Sequence, residues 1–272
     1  MESYRVMIKS FSHWAIVISL ACGASAATPP SDLLERAGEH AKLFWDQFTA
    51  VTCTEELSQE KLNEKGKTAI RTDSRYDYLI VMGWDKGDLL VDESRVEVAA
   101  PRKGRPTGSL LATRGFATLL LILHPDFQSS YTFSTPVEEP STQLMRIDFL
   151  PRPGGRSPGA MELKGREYPI EWEGSAWMDP ATAAVVRMET RWKEPPEALG
   201  LVSLHSDVHY APFDLRQGQT YWLPNSATIE LKTLHQSWKN EHRFAKYRLF
   251  SVDVKDEVGG VREVGEAGGK SK

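Results

Sequence analysis

The stretch GSAWMDPATAAVVRMETRW, which spans Gly174 to Trp192, carries the clearest structural signal in this sequence. An apolar segment runs into Asp179-Pro180, and the chain then returns with apolar and charged residues in alternation. Asp followed by Pro favours a type I turn, because the Asp side chain accepts a backbone N–H and the proline ring fixes φ. The stretch therefore predicts a β-hairpin, with Asp179 as a turn residue and not as a catalytic acid.

A period of two recurs through the C-terminal half of the chain. Residues expected to share the apolar face of a strand are Met145, Ile147 and Phe149, then Val186, Met188, Thr190 and Trp192, and then Ile229, Leu231 and Thr233. Such strands belong to an antiparallel sheet that has one dry face and one face in water. The alternation changes phase near Leu249, which predicts a β-bulge or a bend in the last strand.

The N-terminal half begins with a helix signal. Apolar residues recur at spacings of three and four after Pro30-Ser31-Asp32, which predicts an amphipathic helix over 31–50. The period then changes to two, and strands are predicted near 52–62, 68–82 and 88–99. Turn residues separate these three segments, so together they indicate a β-meander.

One segment, GFATLLLILHPDF from Gly115, has no polar side. A helix that is apolar around its whole circumference has to be buried, so the segment predicts a buried helix that stops at His124-Pro125. A buried strand is the alternative, because a short apolar run fits either period. Surface loops rich in Pro and Gly are expected at 101–109 and 151–168.

The first 26 residues are typical of a secretory signal peptide. Arg5 and Lys9 precede an apolar run that begins at Trp14, and the small residues Ala24-Ser25-Ala26 follow it. The run is shorter than the roughly 20 residues that a membrane-spanning helix needs, which favours a cleaved leader over a membrane anchor. The sequence therefore predicts export to the periplasm or the extracellular space.

The mature chain is predicted to form a single domain over 27–257, followed by a disordered tail over 258–272 that is rich in Gly and charge. Lipidation at Cys22 is a less favoured alternative to cleavage, because Leu20 stands one position away from the place that a lipobox requires. Once Cys22 has left with the leader, Cys53 is the only thiol, and it is interpreted as a small buried hydrophobe. No other segment is long and apolar enough to span a bilayer.

Composition and motifs exclude several function classes. With 33 Lys and Arg against 37 Asp and Glu, the chain lacks the basic footprint of a nucleic-acid-binding protein. A G-x-S-x-G motif occurs at 155–159, but Pro158 follows the serine and has no N–H for an oxyanion hole. His205 and His209 would stand roughly 13 Å apart on a strand, too far for one metal ion. No catalytic residue, metal site or cofactor is predicted.

The hairpin also resembles a known family. Ala176-Trp177-Met178-Asp179-Pro180 with Val186-Arg187-Met188-Glu189 resembles the hairpin of the outer-membrane lipoprotein carrier (LolA/LolB-like) superfamily. Tyr221-Trp222-Leu223-Pro224 and the segment NEHRFAKYRLF from Asn240 are similar to a group of uncharacterised exported bacterial proteins with the same hairpin. The resemblance implies a mainly β (α+β) fold, in which an antiparallel sheet curls into an incomplete barrel. An N-terminal helix and an internal apolar helix would pack on its concave side.

The resemblance further implies an apolar cavity between sheet and helices that accepts acyl chains. The residues predicted to line it are Leu119, Leu120, Ile122, Leu123, Trp177, Met188, Trp192, Ile229 and Leu231. The leading hypothesis is an exported, non-enzymatic carrier or sensor for a hydrophobic ligand, such as a lipid or a lipoprotein acyl chain. The alternative is a structural or protein-interaction module of the cell envelope without a small-molecule ligand, and an enzyme is the third.

Overall fold

The structure is a computed structural model that describes residues 30–47, 50–85, 88–98, 118–163, 166–216 and 219–249. The predicted signal peptide, Cys22, the loop over 101–109 and the tail over 258–272 lie outside the described residues. The two boundaries of the predicted domain therefore stay predictions.

The N-terminal part consists of helix α1 (Pro30–Gln47) and the strands β1 (Ala50–Leu62), β2 (Thr68–Asp85) and β3 (Asp88–Glu97). The middle part contains a 3₁₀ helix (Thr118–Leu123), helix α2 (Pro125–Gln128), β4 (Tyr131–Phe133), β5 (Val137–Glu139), β6 (Leu144–Pro151), β7 (Ala160–Leu163) and β8 (Arg166–Pro169). The C-terminal part contains β9 (Trp172–Met178), β10 (Val185–Trp192), a 3₁₀ turn (Glu197–Leu199), β11 (Leu201–Arg216), β12 (Gln219–Thr233) and β13 (Ser237–Leu249). The helix predicted over 31–50 and the three strands that follow it are confirmed.

Eleven of the strands form one antiparallel sheet in the order β3-β2-β1-β13-β12-β11-β10-β9-β6-β4, with β5 also paired to β6. The sheet ends in two different edges, β3 and β4, so the strands that the structure describes do not close into a barrel. This arrangement confirms the predicted incomplete barrel. One pairing, β1 with β13, connects the N-terminal meander to the C-terminal strands. We call this pairing the seam.

One face of the sheet is buried along its whole width, and we call it the inner face. On the central strands it carries Ala176, Met188 and Val208, which lie directly opposite one another and are each 0% exposed. Neighbouring residues in sequence point to the opposite, outer face, because side chains alternate along a strand. The predicted one-sided strands are thus present, and Ile147 and Phe149 lie on the inner face as expected.

The helices form a layer that packs in one hydrophobic cluster with the inner face. Helix α1 buries Leu33, Ala37, Ala41 and Phe44, which recur at spacings of three and four. The predicted apolar helix is a short 3₁₀ helix, in which all residues of 119–123 are buried, and the strand alternative is wrong. This helix ends next to the predicted stop at His124-Pro125. A second helix, α2, then begins at Pro125, because a proline fits the first turn of a helix.

Two local predictions differ from the structure. The segment 151–168 is not one loop, since β7 and β8 pair within it as a separate two-stranded sheet. The phase change in β13 lies earlier than Leu249. The register against β1 shifts between Thr52 and Thr54, opposite a bulge in which Lys246 adopts a positive φ of 57°. One extra residue there moves Tyr247 onto the buried face.

Candidate functional site

The turn at Asp179 is a structural turn, as the sequence predicted. The Asp179 carboxylate accepts hydrogen bonds from the backbone N–H groups of Ala181 at 2.9 Å and Thr182 at 2.7 Å, and from the Thr182 hydroxyl. These donors stabilise the charged form, above all the backbone N–H of Thr182, and they hold the pKa of Asp179 below its ordinary value. The hydrogen bonds of the Asp179 carboxylate therefore stabilise its own turn.

The same turn also holds the helical layer. Arg36 of α1 donates hydrogen bonds to the carbonyl oxygens of Ala181 at 2.8 Å and Pro180 at 3.2 Å. His40, one helical turn further on, contacts the Thr182 carbonyl oxygen through Nε2 at 2.8 Å. The β9–β10 hairpin thus fixes α1 over the sheet from outside the hydrophobic cluster.

Eight of the nine residues predicted to line a cavity lie in that single hydrophobic cluster. Their exposed fractions are 3% for Leu119, 7% for Leu120, 0% for Ile122 and Leu123, 0% for Met188, 4% for Trp192, 5% for Ile229 and 6% for Leu231. Four of them come from the 3₁₀ helix and four from inner-face positions of β10 and β12. The structure therefore brings together residues that are more than a hundred positions apart in sequence.

Trp177 is the ninth predicted residue, and its placement is a correction. It lies opposite Arg187 in the β9–β10 register, whereas its neighbour Ala176 lies opposite Met188. The guanidinium carbon of Arg187 lies 4.5 Å from the centre of the Trp177 ring, so the ring is covered on the outer face by a cation. Trp177 is buried but is not part of the hydrophobic cluster.

A polar cluster on the inner face of the seam was not predicted from the sequence. Glu55 of β1 is paired with Arg95 of β3 through both guanidinium Nε and Nη2, the second contact being 3.0 Å long. Nδ1 of His242 in β13 lies 2.7 Å from Oε1 of the same carboxylate. Glu55 is 0% and His242 is 1% exposed. Glu55 sits in the inward phase between Cys53 and Leu57, which is the signal that could have revealed it.

Burial and hydrogen bonding act against each other at this cluster. Burial favours the neutral carboxyl group of Glu55, but the hydrogen bonds from His242 and Arg95 outweigh burial and hold the pKa of Glu55 below its ordinary value. Burial also lowers the pKa of His242, in spite of the neighbouring carboxylate. The cluster therefore contains a carboxylate, a guanidinium and a neutral imidazole near neutral pH.

Further polar side chains surround this cluster on the inner face. Gln59 lies opposite both Thr72 and Asn240, and all three are buried. Burial, followed by the charge of Glu55, raises the pKa of the Cys53 thiol to about 12. The thiol is therefore protonated at neutral pH, which fits the predicted role of Cys53 as a small buried hydrophobe.

The motifs set aside from sequence have structural roles in the fold. The Ser157 hydroxyl lies 2.8 Å from the Gly159 carbonyl oxygen and 2.7 Å from that of Ile170, so it ties the 155–159 loop to the chain before β9. His205 and His209 lie on the outer face, where they contact Glu189 and Asp207 respectively. Among the described residues, no group of His, Cys, Asp or Glu could hold a metal ion. None of the helices within those ranges is long and apolar enough to cross a membrane.

No family model matches the chain, and no curated protein matches it significantly. Among solved structures, it is similar to a LolA superfamily protein from Nitrosomonas europaea, with 12% identity, a TM-score of 0.40, and coverage of 83% of this chain and 96% of that chain. It is also similar to a DUF1329 family protein from Desulfovibrio piger, with 12% identity, a TM-score of 0.42, and coverage of 84% and 94%. At such identities and scores no ligand or role carries over, so the function has to be argued from the chain itself.

Proposed function

We propose that this chain is an exported, non-enzymatic binding protein that carries or senses a hydrophobic ligand, such as a lipid or a lipoprotein acyl chain. The observation that supports this proposal most directly is the burial of the whole 119–123 segment in one hydrophobic cluster with residues of α1 and of the inner face. This segment brings five consecutive apolar side chains to the same apolar surface of the sheet. In the proposed complex, the acyl chain lies between these two surfaces.

The helical layer is joined to the sheet in a way that fits this role. A layer that covers an apolar face by side-chain packing and a few hydrogen bonds can move away without breaking strand pairs. The polar contacts of α1 with the hairpin come from Arg36 and His40, which are on its surface. The proposed lining consists of Leu119, Leu120, Ile122, Leu123, Met188, Trp192, Ile229 and Leu231, and excludes Trp177 because that ring lies on the outer face.

Export to the periplasm or beyond follows from the predicted leader and is part of the proposal. A lipid carrier of the envelope has to work on the far side of the inner membrane, where its ligands are delivered and collected. Lipid anchoring at Cys22 stays the less favoured alternative. The proposal needs no cofactor, no metal and no nucleic acid, and it leaves room for an envelope protein that hands over the ligand.

Fluorescence quenching by a brominated fatty acid tests the proposal at the level of residues. Bromine quenches tryptophan on contact, so 12-bromododecanoic acid bound at the inner face should quench Trp192. We expect the Trp192→Phe variant to lose a large part of the quenching, because the Trp192 ring lies in the hydrophobic cluster. The matched control is Trp177→Phe, which removes a ring on the opposite face of the same hairpin.

Two results would contradict the proposed function. One is the absence of saturable quenching in the wild-type protein. The other is an equal loss of quenching in the two variants, because nonspecific adsorption does not distinguish the two faces of the sheet. Either result would favour the alternative function, a structural or protein-interaction module of the envelope without a small-molecule ligand.

A further inference from the structure

The seam joins two sets of strands that are far apart in the chain, whereas the other strand pairs of the N-terminal meander and of β9 to β13 are consecutive in sequence. On one side lie β1, β2 and β3, and on the other side lie β13 and the strands that follow it in the sheet order. Within the described residues, no other strand pairing links these two sets. The register of the seam runs from Val51 opposite Leu249 to Leu62 opposite Ser237, with the shift between Thr52 and Thr54. Opening this one pairing would part the sheet.

The polar cluster lies across this seam. Glu55 belongs to one side and His242 to the other, 187 positions apart in the chain, and their side chains meet at 2.7 Å with no solvent access. Arg95 holds the Glu55 carboxylate from two strands away, within the same N-terminal meander. Of Glu55, Arg95 and His242, the imidazole of His242 is therefore the one group that the C-terminal strands contribute.

Charged, polar and apolar groups from several strands surround His242. Glu55 of β1 is the carboxylate in contact, and β3 contributes Arg95 and Glu93 to the same face, with Tyr78 of β2 beneath the guanidinium. On the other side, the residue of β12 opposite His242 is Ala227. Along β13 itself, the His242 ring stacks on Phe244 at 6.0 Å between centroids. Among these groups, Arg95 already pairs with Glu55, and its positive charge opposes protonation of His242.

Protonation of the His242 imidazole therefore destabilises the closed seam relative to the opened seam. Burial, and the nearby Arg95 to a smaller extent, keep the pKa of His242 below its ordinary value while the seam is closed. In an opened seam the ring is in water, and its pKa returns to about 6.5. Below that pH the opened form binds a proton that the closed form binds more weakly, so acid shifts the equilibrium towards the opened form.

We propose that the buried imidazole of His242 makes the seam an acid-sensitive joint, which opens on acidification while β9, β10 and β11 stay paired. The central strands carry no corresponding buried histidine on their inner face, where Met188, Val208 and Ala176 pack instead. The second buried histidine among the described residues, His124, caps α2 in the helical layer and does not touch the seam. The location of the response therefore distinguishes the two imidazoles.

Hydrogen–deuterium exchange, read as protection factors between pH 7.5 and pH 5, tests this proposal in the wild-type protein. We expect peptides from β1 and β13 to lose protection by up to about tenfold per pH unit below pH 6.5, which is the limit for one titrating group. Peptides from β9, β10 and β11 should keep their protection. Loss of protection in α2 alone would assign the response to His124 and would contradict the proposal.

The His242→Gln variant identifies the responsible group. The glutamine amide can still donate to the Glu55 carboxylate but does not titrate, so the seam of this variant should keep its protection at pH 5. The matched control is His205→Gln on the outer face, where the imidazole is 38% exposed and contacts Glu189. This control should respond to acid like the wild-type protein.

The outcomes separate clearly. A uniform loss of protection over the whole sheet, or no loss at the seam, contradicts the proposal in the wild-type protein alone, even if His242→Gln fails to fold. An unchanged acid response in a folded His242→Gln protein contradicts it as well. None of these measurements requires a ligand, so they are independent of the proposed function.

Discussion

The inner face of the sheet is filled in two different ways. Around β9, β10 and β11 it is mainly apolar, with Ala176, Met188 and Val208 fully buried and one pair of hydroxyl groups, Thr190 and Ser206. At the seam, apolar residues flank a buried ion pair and imidazole, and Glu55 and His242 are as buried as the apolar residues. Both regions alternate with a period of two, so the same strand pattern produces an apolar surface, which is the proposed binding surface, and a surface that contains buried charges.

The difference lies in what each region tolerates. Apolar side chains can exchange one apolar neighbour for another at little cost, whereas a buried charge requires its own partner in a fixed position. The polar region is therefore suited to fix the register of β1 against β13. The apolar region is suited to exchange its contacts with the helical layer for contacts with a ligand, as the proposed function requires.

The largest effect is expected from removing one member of the polar cluster. Glu55→Ala leaves the guanidinium of Arg95 buried without its carboxylate, and we expect it to lower the free energy of unfolding by about 3–5 kcal/mol. Chemical denaturation measures this loss. Glu241→Ala is the control, because Glu241 lies on the outer face of β13 in an exposed pair with Lys239, and a change within about 1 kcal/mol is expected. Equal losses in the two variants would contradict the special position of the seam.

The apolar region should respond to loss of volume. Met188→Ala removes a side chain that is 0% exposed, and we expect a loss of about 2–5 kcal/mol in the free energy of unfolding. Val202→Ala in the neighbouring strand changes a residue that is 46% exposed and should stay within about 0.5 kcal/mol. A small effect of Met188→Ala would mean that this region is loosely packed before any ligand binds.

The two regions should also differ in their response to pH. Burial lowers the pKa of His242, so the unfolded chain binds more protons below about pH 6.5, and stability falls as the pH decreases. The expected slope from this one group is at most about 1.4 kcal/mol per pH unit. Denaturation midpoints of the wild type and of His242→Gln at pH 7.5 and pH 5.5 measure it. A steeper decline in the variant would contradict this assignment.

The smallest expected effect concerns the attachment of the helical layer. Arg36→Ala removes two hydrogen bonds to the carbonyl groups of the hairpin turn, and we expect a loss of about 1 kcal/mol in the free energy of unfolding. Faster exchange of the amide protons of α1 should accompany this loss. Lys42→Ala is the control, because Lys42 pairs with Asp46 within the exposed surface of the same helix. If both variants leave α1 equally protected, the hairpin does not hold the helix.

The sequence predicted the elements whose signals are local. The turn residues Asp179-Pro180, the alternation of β6, β10 and β12, and the apolar 119–123 segment each reflect contacts that depend on nearby positions. The prediction for Trp177 was wrong because Ala176, Trp177 and Met178 are three consecutive apolar residues, so the sequence pattern does not define a phase, and all three are buried in the structure. The stacking of Arg187 on the Trp177 ring, which produces this burial, depends on the pairing of β9 with β10.

The polar cluster could not be predicted from the sequence for a different reason. Glu55 and His242 meet only because β1 pairs with β13, and nothing in either segment specifies that partner. A charged residue in the inward phase of a strand is visible in sequence, but its partner is not. The bulge is observed at Lys246, a few residues before its predicted position near Leu249, for the same reason. Its position depends on the register of β13 with β1 and not on a local signal.

The central claim is that the apolar region of the inner face, covered by the helical layer, holds a hydrophobic ligand. Native mass spectrometry of the protein purified from its own cell envelope tests it most directly. The account predicts a species that carries the added mass of an acyl-chain lipid, which is lost when the protein is denatured. A bare polypeptide mass under native conditions, with no lipid recovered by extraction of the same sample, would contradict it.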